Sequence, residues 1–235
     1  MEALPVNLYT VKIIDENLDV VKYFIYDVDM PKKQYHHGDL KNALVQAGME
    51  ILATEGVGAL SLRKVAGKAG VSHSAPYAHF TDKQGLIAAI STESFRQLYA
   101  RVIAAAEAHP SDPAAQLVEA AWAYVQFALE NPAYFKVMFS GVLEKEQDYP
   151  DFVNISHQNF QLLVNLVRDC QQVGLLRSGA EDVIALSAWS LVHGFVALLL
   201  ERQISRTILE RYLLKELLCQ TLNQVTLIDL SCAAK

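Results

Sequence analysis

The sequence predicts an all-α protein: a small three-helix head, a long connecting helix and a larger helical bundle towards the C-terminus. Two observations carry this prediction. Beyond the first forty residues, apolar side chains recur at spacings of three and four, which is the period of a helix with one buried face. Breaks between these runs fall at turn-forming residues such as Gly56, Gly70, Pro132 and Gly174. With 52% hydrophobic and only 20% charged residues, the chain has the composition of a globular protein.

Residues 1–29 differ in composition from the rest of the chain. They are rich in Val, Ile, Tyr and Phe, and turn-forming residues at 15–17 separate two β-prone runs, which favours a hairpin. A basic stretch opening at Met30 then directly precedes the first helix. We therefore expect translation to start at Met30, with 1–29 a leader of doubtful status. Residues 30–90 would form the head and 91–235 the regulatory and dimerisation bundle.

The segment 61–83 has the pattern of a helix-turn-helix. Ser61 is a suitable N-cap for one short helix, and a tight turn at Gly70 follows it. Ser72 can cap a second short helix that ends at Phe80, which we expect to be a core residue. Two helices of about seven to nine residues joined in this way place the second one in a DNA major groove.

The charge of the helix-turn-helix region favours a DNA partner, although the net charge of the whole chain does not. The net charge of −6 argues by itself against nucleic-acid binding, because such domains tend to be basic. Between residues 31 and 90, however, seven lysines and arginines face four acids. The positive charge lies where a phosphate backbone requires it.

Several side chains on this segment could contact DNA. His73, Tyr77 and His79 offer donors to phosphates or bases, and small residues next to them allow close approach to base edges. Lys83, in the first turn of the next helix, can reach a phosphate. The alternative is that Tyr77 is a core residue and His79 an ordinary surface residue.

The stretch from Tyr35 to Ile90 resembles the DNA-binding domain of TetR/AcrR-family transcriptional regulators. The shared pattern is a helix ending in E-G, then S-L-R-x-V-A-x-x-A-G-V-S, then Y-x-H-F-x-x-K. The resemblance implies that the third helix enters the major groove and that an aromatic residue, a histidine and a lysine hold phosphates. The DNA-binding residues implied in this sequence are Ser61, Arg63, Ser72, His73, Ser74, Ala75, Tyr77, His79 and Lys83.

The rest of the chain predicts further helices, separated at Pro110, Pro132, Gly141 and Gly174. The run Val183–Leu200 carries no charge over eighteen residues, which meets the lower limit for a membrane span. Polar residues interrupt it and no basic loop flanks it, so we expect it to be buried between its own core and a partner subunit.

We expect a homodimer through the helices near 183–200 and 206–223, since both carry more apolar surface than one subunit can bury. The family resembled dimerises in this way, and Trp189, His193 and Gly194 resemble the W-x-x-x-H-G motif of one C-terminal subtype. A two-fold axis would place two heads about 34–36 Å apart, on a near-palindromic operator.

Aromatic residues of the middle helices allow two interpretations. Individually each is explained as core packing; as a group they could line an apolar effector pocket with a few polar tips. His193 is the most suggestive polar group among them, although a core histidine with its hydrogen bonds satisfied has the same pattern. The candidate pocket residues are Trp122, Phe127, Tyr134, Phe135, Met138, Phe160, Trp189 and His193.

Together these features predict a cytoplasmic dimeric transcriptional regulator, a repressor released from its operator by a small apolar effector; an activator remains open. One alternative is a redox-responsive regulator working through Cys170 or Cys219, although both lie among apolar residues where thiols are usually inert. Another is a helical enzyme using His193, but no HExxH, GxSxG or nucleotide-binding glycine loop occurs. The cysteine spacing gives no zinc or disulfide pattern, and we expect no cofactor or metal.

Overall fold

The computed structural model of the protein describes residues 40–230. The expected hairpin and the expected start at Met30 lie outside the described residues.

The described residues form nine α-helices, and their one β-type contact is an isolated antiparallel bridge between Leu176 and Thr226. The prediction of an all-α fold is confirmed. The helices are α1 (Leu40–Glu55), α2 (Leu62–Lys68), α3 (Lys83–Glu107), α4 (Pro113–Glu130), α5 (Pro132–Phe139), α6 (Pro150–Gln172), α7 (Glu181–Leu200), α8 (Arg206–Arg211) and α9 (Leu214–Leu222). Short 3₁₀ helices occur at Val57–Ala59, Ala75–Ala78 and Glu146–Asp148.

Local caps set the starts of three helices. The Ser61 hydroxyl accepts a hydrogen bond from the Lys64 N–H at 3.2 Å at the start of α2. Asp82 does the same for α3, at 2.9 Å from the Gly85 N–H. Asp112 caps α4, whose first residue is a proline, at 3.0 Å from the Ala115 N–H. Side-chain acceptors at these positions satisfy N–H groups that have no partner inside the helix.

The head packs α1, α2 and the first turns of α3 around a small core that includes Leu44, Val65, Phe80 and Leu86. Helices α1 and α3 approach closely at Gly48, where an added Cβ atom would lie 2.7 Å from Ile90 Cδ1.

Helix α3 runs on for 25 residues and packs against α4, α5 and α6 in the bundle. Helix α7 packs against α6 and α4, and α9 covers α7 and α4. Because α3 belongs to both the head core and the bundle core, it is the rigid element that connects them.

The helix expected between Ser72 and Phe80 is shorter and tighter than predicted. Only Ala75–Ala78 is helical, and its bonds are of the 3₁₀ type, from Tyr77 N–H to Ser74 O and from His79 N–H to Pro76 O. Pro76 has no N–H, and its ring would clash with a carbonyl four residues earlier in an α-helix. The proline therefore holds this segment as a compact turn.

The helix expected over 206–223 is divided into α8 and α9. Tyr212 and Leu213 are extended between them, and the Glu216 carboxylate accepts a hydrogen bond from the Leu213 N–H at 3.3 Å, starting the second helix. Lys215 then pairs with Glu119 of α4 at 2.6 Å. The break turns α9 so that Leu218 and Leu222 are buried.

In the part of the chain that the structure describes, α7 is the one helix long and apolar enough to cross a membrane by length and composition. It packs against α4, α6 and α9 on one side, and its other side is exposed.

Candidate nucleic-acid interface and ligand cavity

The turn after α2 projects a polar loop outward. Gly70 has φ = 69°, a left-handed conformation that glycine adopts without strain, and the Val71 N–H donates back to Ala66 O at 3.0 Å. Ser72 and Ser74 then follow on the surface, with their hydroxyl oxygens 3.1 Å apart.

The two aromatic residues of this segment lie on opposite sides of the chain. Phe80 is 3% exposed and packs in the head core, as expected, whereas Tyr77 is 63% exposed. His79 is exposed as well. The alternative in which Tyr77 fills the core is therefore wrong, and its ring and hydroxyl are free to meet a partner.

Ion pairs within the head reduce the positive charge available to a phosphate backbone. Lys64 pairs with Glu55, and Lys68 pairs with Glu50 at 2.8 Å. Arg63 is exposed beside them and has no ion pair among the described residues.

Lys83 has a different partner. Its Nζ donates a hydrogen bond to the Val57 carbonyl oxygen at 3.1 Å, so its charge is not neutralised. The same bond holds the ammonium group near the 3₁₀ turn that precedes α2.

All nine predicted DNA-contact residues lie on the surface of the head, Ala75 partly buried and the other eight exposed. They come from three adjoining segments, namely the start of α2, the stretch from Ser72 to His79 and the start of α3.

A cavity of about 150 Å³ lies between α3, α4, α6 and α7, with one residue each from α5 and α9. Its wall is almost wholly apolar, and no charged side chain lines it. The lining residues are Phe95, Leu98, Val102, Leu117, Ala120, Ala121, Tyr124, Phe139, Ser156, Asn159, Phe160, Leu163, Leu166, Ala188, Trp189, Val192 and Leu222.

A hydrogen-bonded group of three side chains adjoins the cavity. Trp189 Nε1 donates to the Tyr124 hydroxyl oxygen at 3.2 Å, and that oxygen lies 2.8 Å from His193 Nδ1. The His193 ring stacks on Phe135 with a centroid separation of 5.3 Å. Burial lowers the pKa of His193 and raises that of Tyr124, so both groups are neutral near pH 7.

Of the eight predicted pocket residues, Phe160 and Trp189 line the cavity. His193 and Phe135 contact Tyr124, which also lines it. The other four, Trp122, Phe127, Tyr134 and Met138, are not among the lining residues.

The surroundings of Phe127 and Tyr134 explain why these two residues do not line the cavity. Phe127 is fully buried in the core. Tyr134 lies towards α1: its pKa is raised by burial and then by the negative charge of Glu50. Sequence reasoning missed Ser156 and Asn159, because single polar residues on an amphipathic helix are read as surface positions.

The described residues give no support to the redox or enzymatic alternatives. Cys170 is fully buried, its Sγ donates to Pro113 O at 3.4 Å, and burial raises its thiol pKa to about 12, so the reactive thiolate does not form near pH 7. Cys219 is 1% exposed. The described part of the chain has no group of three or more His, Cys, Asp or Glu side chains suited to a metal ion.

Two family models match the chain on either side of the head–bundle connection. Residues 44–90 match the bacterial regulatory proteins of the tetR family, and residues 117–222 match a tetracyclin repressor-like C-terminal domain. The W-x-x-x-H-G subtype proposed from Trp189, His193 and Gly194 stays a prediction.

Individual relatives agree with these matches. YobS of Bacillus subtilis, an uncharacterised HTH-type transcriptional regulator, is 27% identical over 174 residues, which are 72% of this chain and 83% of YobS. A Rhodococcus protein of unknown function is 31% identical, with a TM-score of 0.70 over 82% of this chain and 96% of that chain. PfmR, a TetR family transcriptional regulator from Thermus thermophilus, shares the fold at 20% identity, with a TM-score of 0.54 over 66% of this chain and 84% of that chain.

The helix-turn-helix head, the helical bundle and the matches to both of them lead to one conclusion: the chain belongs to the TetR family and is a DNA-binding transcriptional regulator, not an enzyme.

Proposed function

We propose that this regulator is a cytoplasmic homodimeric repressor, released from a near-palindromic operator when a small, mainly apolar molecule occupies the cavity of the bundle. The observation that supports the proposal is helix α3, whose first residue, Lys83, is exposed on the head and whose later residues Phe95, Leu98 and Val102 line the cavity.

The DNA contacts follow from exposure and chemistry. Tyr77, His79 and Lys83 are assigned to phosphates, because they lie within or after the turn, are exposed and carry hydrogen-bond donors. His73, Ser74 and Ala75 are assigned to base edges, because they lie just before or at the start of the turn and their side chains are small or bear a donor.

The dimer contact is assigned to the outer face of α7. Val183, Leu186 and Leu198 are 55%, 50% and 49% exposed, and their spacing of three and twelve residues places them on one side of the helix. Near the middle of α7, a Cβ atom added to Gly194 would meet nothing within 4 Å. Leucine and valine side chains at the ends and a glycine near the middle allow close packing against the same helix of a second subunit.

Ile208 and Tyr212, in and just after α8, are further exposed apolar residues, at 41% and 37% exposure, and we assign them to the same contact. Outward-facing residues of α9, such as Glu216 and Gln220, are polar. We therefore place the main contact on α7 and α8, with α9 supporting them.

Coupling between the cavity and DNA runs through α3. A ligand that displaces Phe95 or Leu98 acts on the helix that carries Lys83, which changes the position of the head. It alters operator affinity only if it binds one arrangement of the heads more tightly than the other.

Binding-site selection on random duplex DNA tests this proposal, and an inverted repeat with half-sites about 10 base pairs apart, centre to centre, is the expected product. Tyr77→Phe and Tyr77→Ala then form a matched pair on the selected site. Both remove the hydroxyl, so both should bind more weakly than the parent, and Tyr77→Ala should bind most weakly because it also lacks the exposed ring. Selection of no sequence, or parental affinity for Tyr77→Ala, would contradict the assigned interface.

A further inference from the structure

The polar atoms that line the cavity provide information about the ligand that its apolar wall does not. A cavity of about 150 Å³ lined by apolar side chains is the size that takes up a molecule such as benzene. The polar residues in the wall are Tyr124, Ser156, Asn159 and Trp189.

Asn159 presents an acceptor without a free donor. Its Nδ2 group donates to two carbonyl oxygens, Phe95 O at 3.2 Å and Ile155 O at 2.9 Å. Because both partners are carbonyl oxygens, the amide cannot be reversed without placing its own oxygen against them. Asn159 Oδ1 has no hydrogen-bond partner among the described residues, so it remains available to accept a hydrogen bond.

Ser156 lies one turn earlier on α6 and also offers an acceptor while its donor is already used. Its hydroxyl donates to Val153 O at 2.9 Å, which leaves the oxygen as an acceptor. Residues three apart on a helix are neighbours, so Ser156 and Asn159 form an acceptor pair on one face of α6.

The other two polar groups are already paired with each other. Trp189 Nε1 donates to the Tyr124 hydroxyl oxygen, which also bonds His193. A carboxylate entering the cavity would find neither a cation nor a free donor on α6, and a buried unpaired charge is strongly disfavoured.

We propose that the cavity takes an uncharged molecule about the size of one aromatic ring that carries a hydroxyl group, a phenol or aromatic alcohol. Its single O–H donates to Asn159 Oδ1, with Ser156 Oγ as a weaker second acceptor of the same proton. The inference rests on the proposed effector role of the cavity. It adds the chemical class of the effector and the two residues that select it.

Calorimetric titration of the full chain with phenol, toluene and benzoate tests the ligand class. The three share the ring and differ in the group that would face α6. Phenol is expected to bind about tenfold more tightly than toluene, the ratio that corresponds to one net hydrogen bond, and benzoate should not bind detectably.

Two variants test the residues. Asn159→Leu keeps a similar side-chain shape and removes the main acceptor. The ratio of phenol to toluene affinity should therefore fall most of the way from about ten towards one. Asn154→Leu, at an exposed position on the same helix, is the control and should retain the parental ratio. Ser156→Ala, which adds no bulk, should lower the ratio of phenol to toluene affinity partially. It replaces Asn159→Leu as the test if that variant does not fold.

The outcomes separate this inference from the proposed function. Toluene binding as tightly as phenol, or benzoate binding more tightly, would overturn the ligand class while the cavity stays a ligand site. Failure of every probe to bind would overturn the effector role itself. Phenol should also weaken operator binding, and tight phenol binding with no change in operator affinity would leave the ligand class standing and refute the repressor-release mechanism.

Discussion

Among single residues, the contrast between Tyr77 and Phe80 is the most informative. Three positions separate them on a tight turn, yet one is mostly exposed and the other is in the core. A single exposed aromatic residue is common on protein surfaces and does not by itself indicate a binding site. Tyr77 supports DNA binding because His79 and Lys83, which follow it in the chain, also carry hydrogen-bond donors.

Lys83 allows a quantitative expectation at the same scale. If its ammonium group neutralises one phosphate, Lys83→Gln should reduce the slope of log affinity against log salt by about 0.9 per half-site. Lys68→Gln is the control, because Lys68 is paired with Glu50 and the variant should keep the parental slope. Fluorescence anisotropy over a salt series measures both variants, and an unchanged slope for Lys83→Gln would remove this residue from the interface.

His193 makes folding stability dependent on pH. Burial holds its pKa below the ordinary value of 6.5, so the folded protein takes up its proton less readily than the unfolded chain. Its contribution is fully present above pH 6.5 and is lost as pH falls through that range towards the lowered pKa. His193→Gln should therefore show a smaller drop in melting temperature between pH 7.5 and pH 5 than the parent.

The control for this pH experiment is His157→Gln, at an exposed position on α6. It should keep the parental dependence of melting temperature on pH. A His193→Gln protein whose melting temperature falls as steeply as that of the parent would show that other groups dominate the acid response.

At the scale of elements, α3 determines how the head and the bundle are joined. Two of its buried hydroxyl side chains bond back to carbonyl oxygens four residues earlier, Thr92 to Ala88 at 2.7 Å and Ser94 to Ile90 at 2.9 Å. Bonds of this kind weaken and bend a helix slightly. They lie between the head core and the cavity, where a change in helix direction would move the head most.

The α1–α3 crossing depends on the absence of a side chain at Gly48. Gly48→Leu should destabilise the protein by about 1–3 kcal/mol, because the new side chain would collide with Ile90 in a packed core. Gly67→Leu, on α2 where an added Cβ meets nothing within 4 Å, should be neutral or slightly stabilising. Urea unfolding of the two variants compares them directly, and equal stability would show that the crossing adapts.

At the scale of the whole molecule, the exposed face of α7 is the surface that we propose for a second subunit. Its apolar residues could not be assigned to a core or to an interface from composition alone, since the run 183–200 is uncharged throughout. The fold shows that one side packs against α4, α6 and α9 while Val183, Leu186 and Leu198 remain exposed. A second copy of the chain on this face would match the near-palindromic operator that we propose.

Leu186→Glu should convert the proposed dimer into a monomer at micromolar concentration, because a charge would be buried without a partner in the α7 contact. Sedimentation velocity measures the change, with Val173→Glu, an exposed residue just beyond α6, as the control. The Leu186→Glu monomer should also bind the operator weakly. A Leu186→Glu variant that stays dimeric would place the contact elsewhere.

A structural feature could be predicted from the sequence where the interactions that produce it lie between residues close together in the chain. Ser61 begins α2 through a hydrogen bond to a residue three positions away, so its role could be predicted from the sequence. The tight turn at Pro76 and the break at Tyr212 were not predicted. Predicting the turn would have required judging that Pro76 outweighs the helical periodicity around it. The break depends on how α9 packs against α4, where Lys215 pairs with Glu119.

By itself, the sequence determined the helical fold class, the helix-turn-helix and the family, because periodicity, caps and a contiguous motif are local properties of the chain. The cavity was decided only by the tertiary structure, which brings Phe95, Tyr124, Asn159 and Trp189 together from four helices. The spacing of these residues along the chain does not predict that they line one cavity. The reason is physical: a wall made from several helices depends on how they pack, and a polar residue such as Asn159 shows its role only after its donors have found partners.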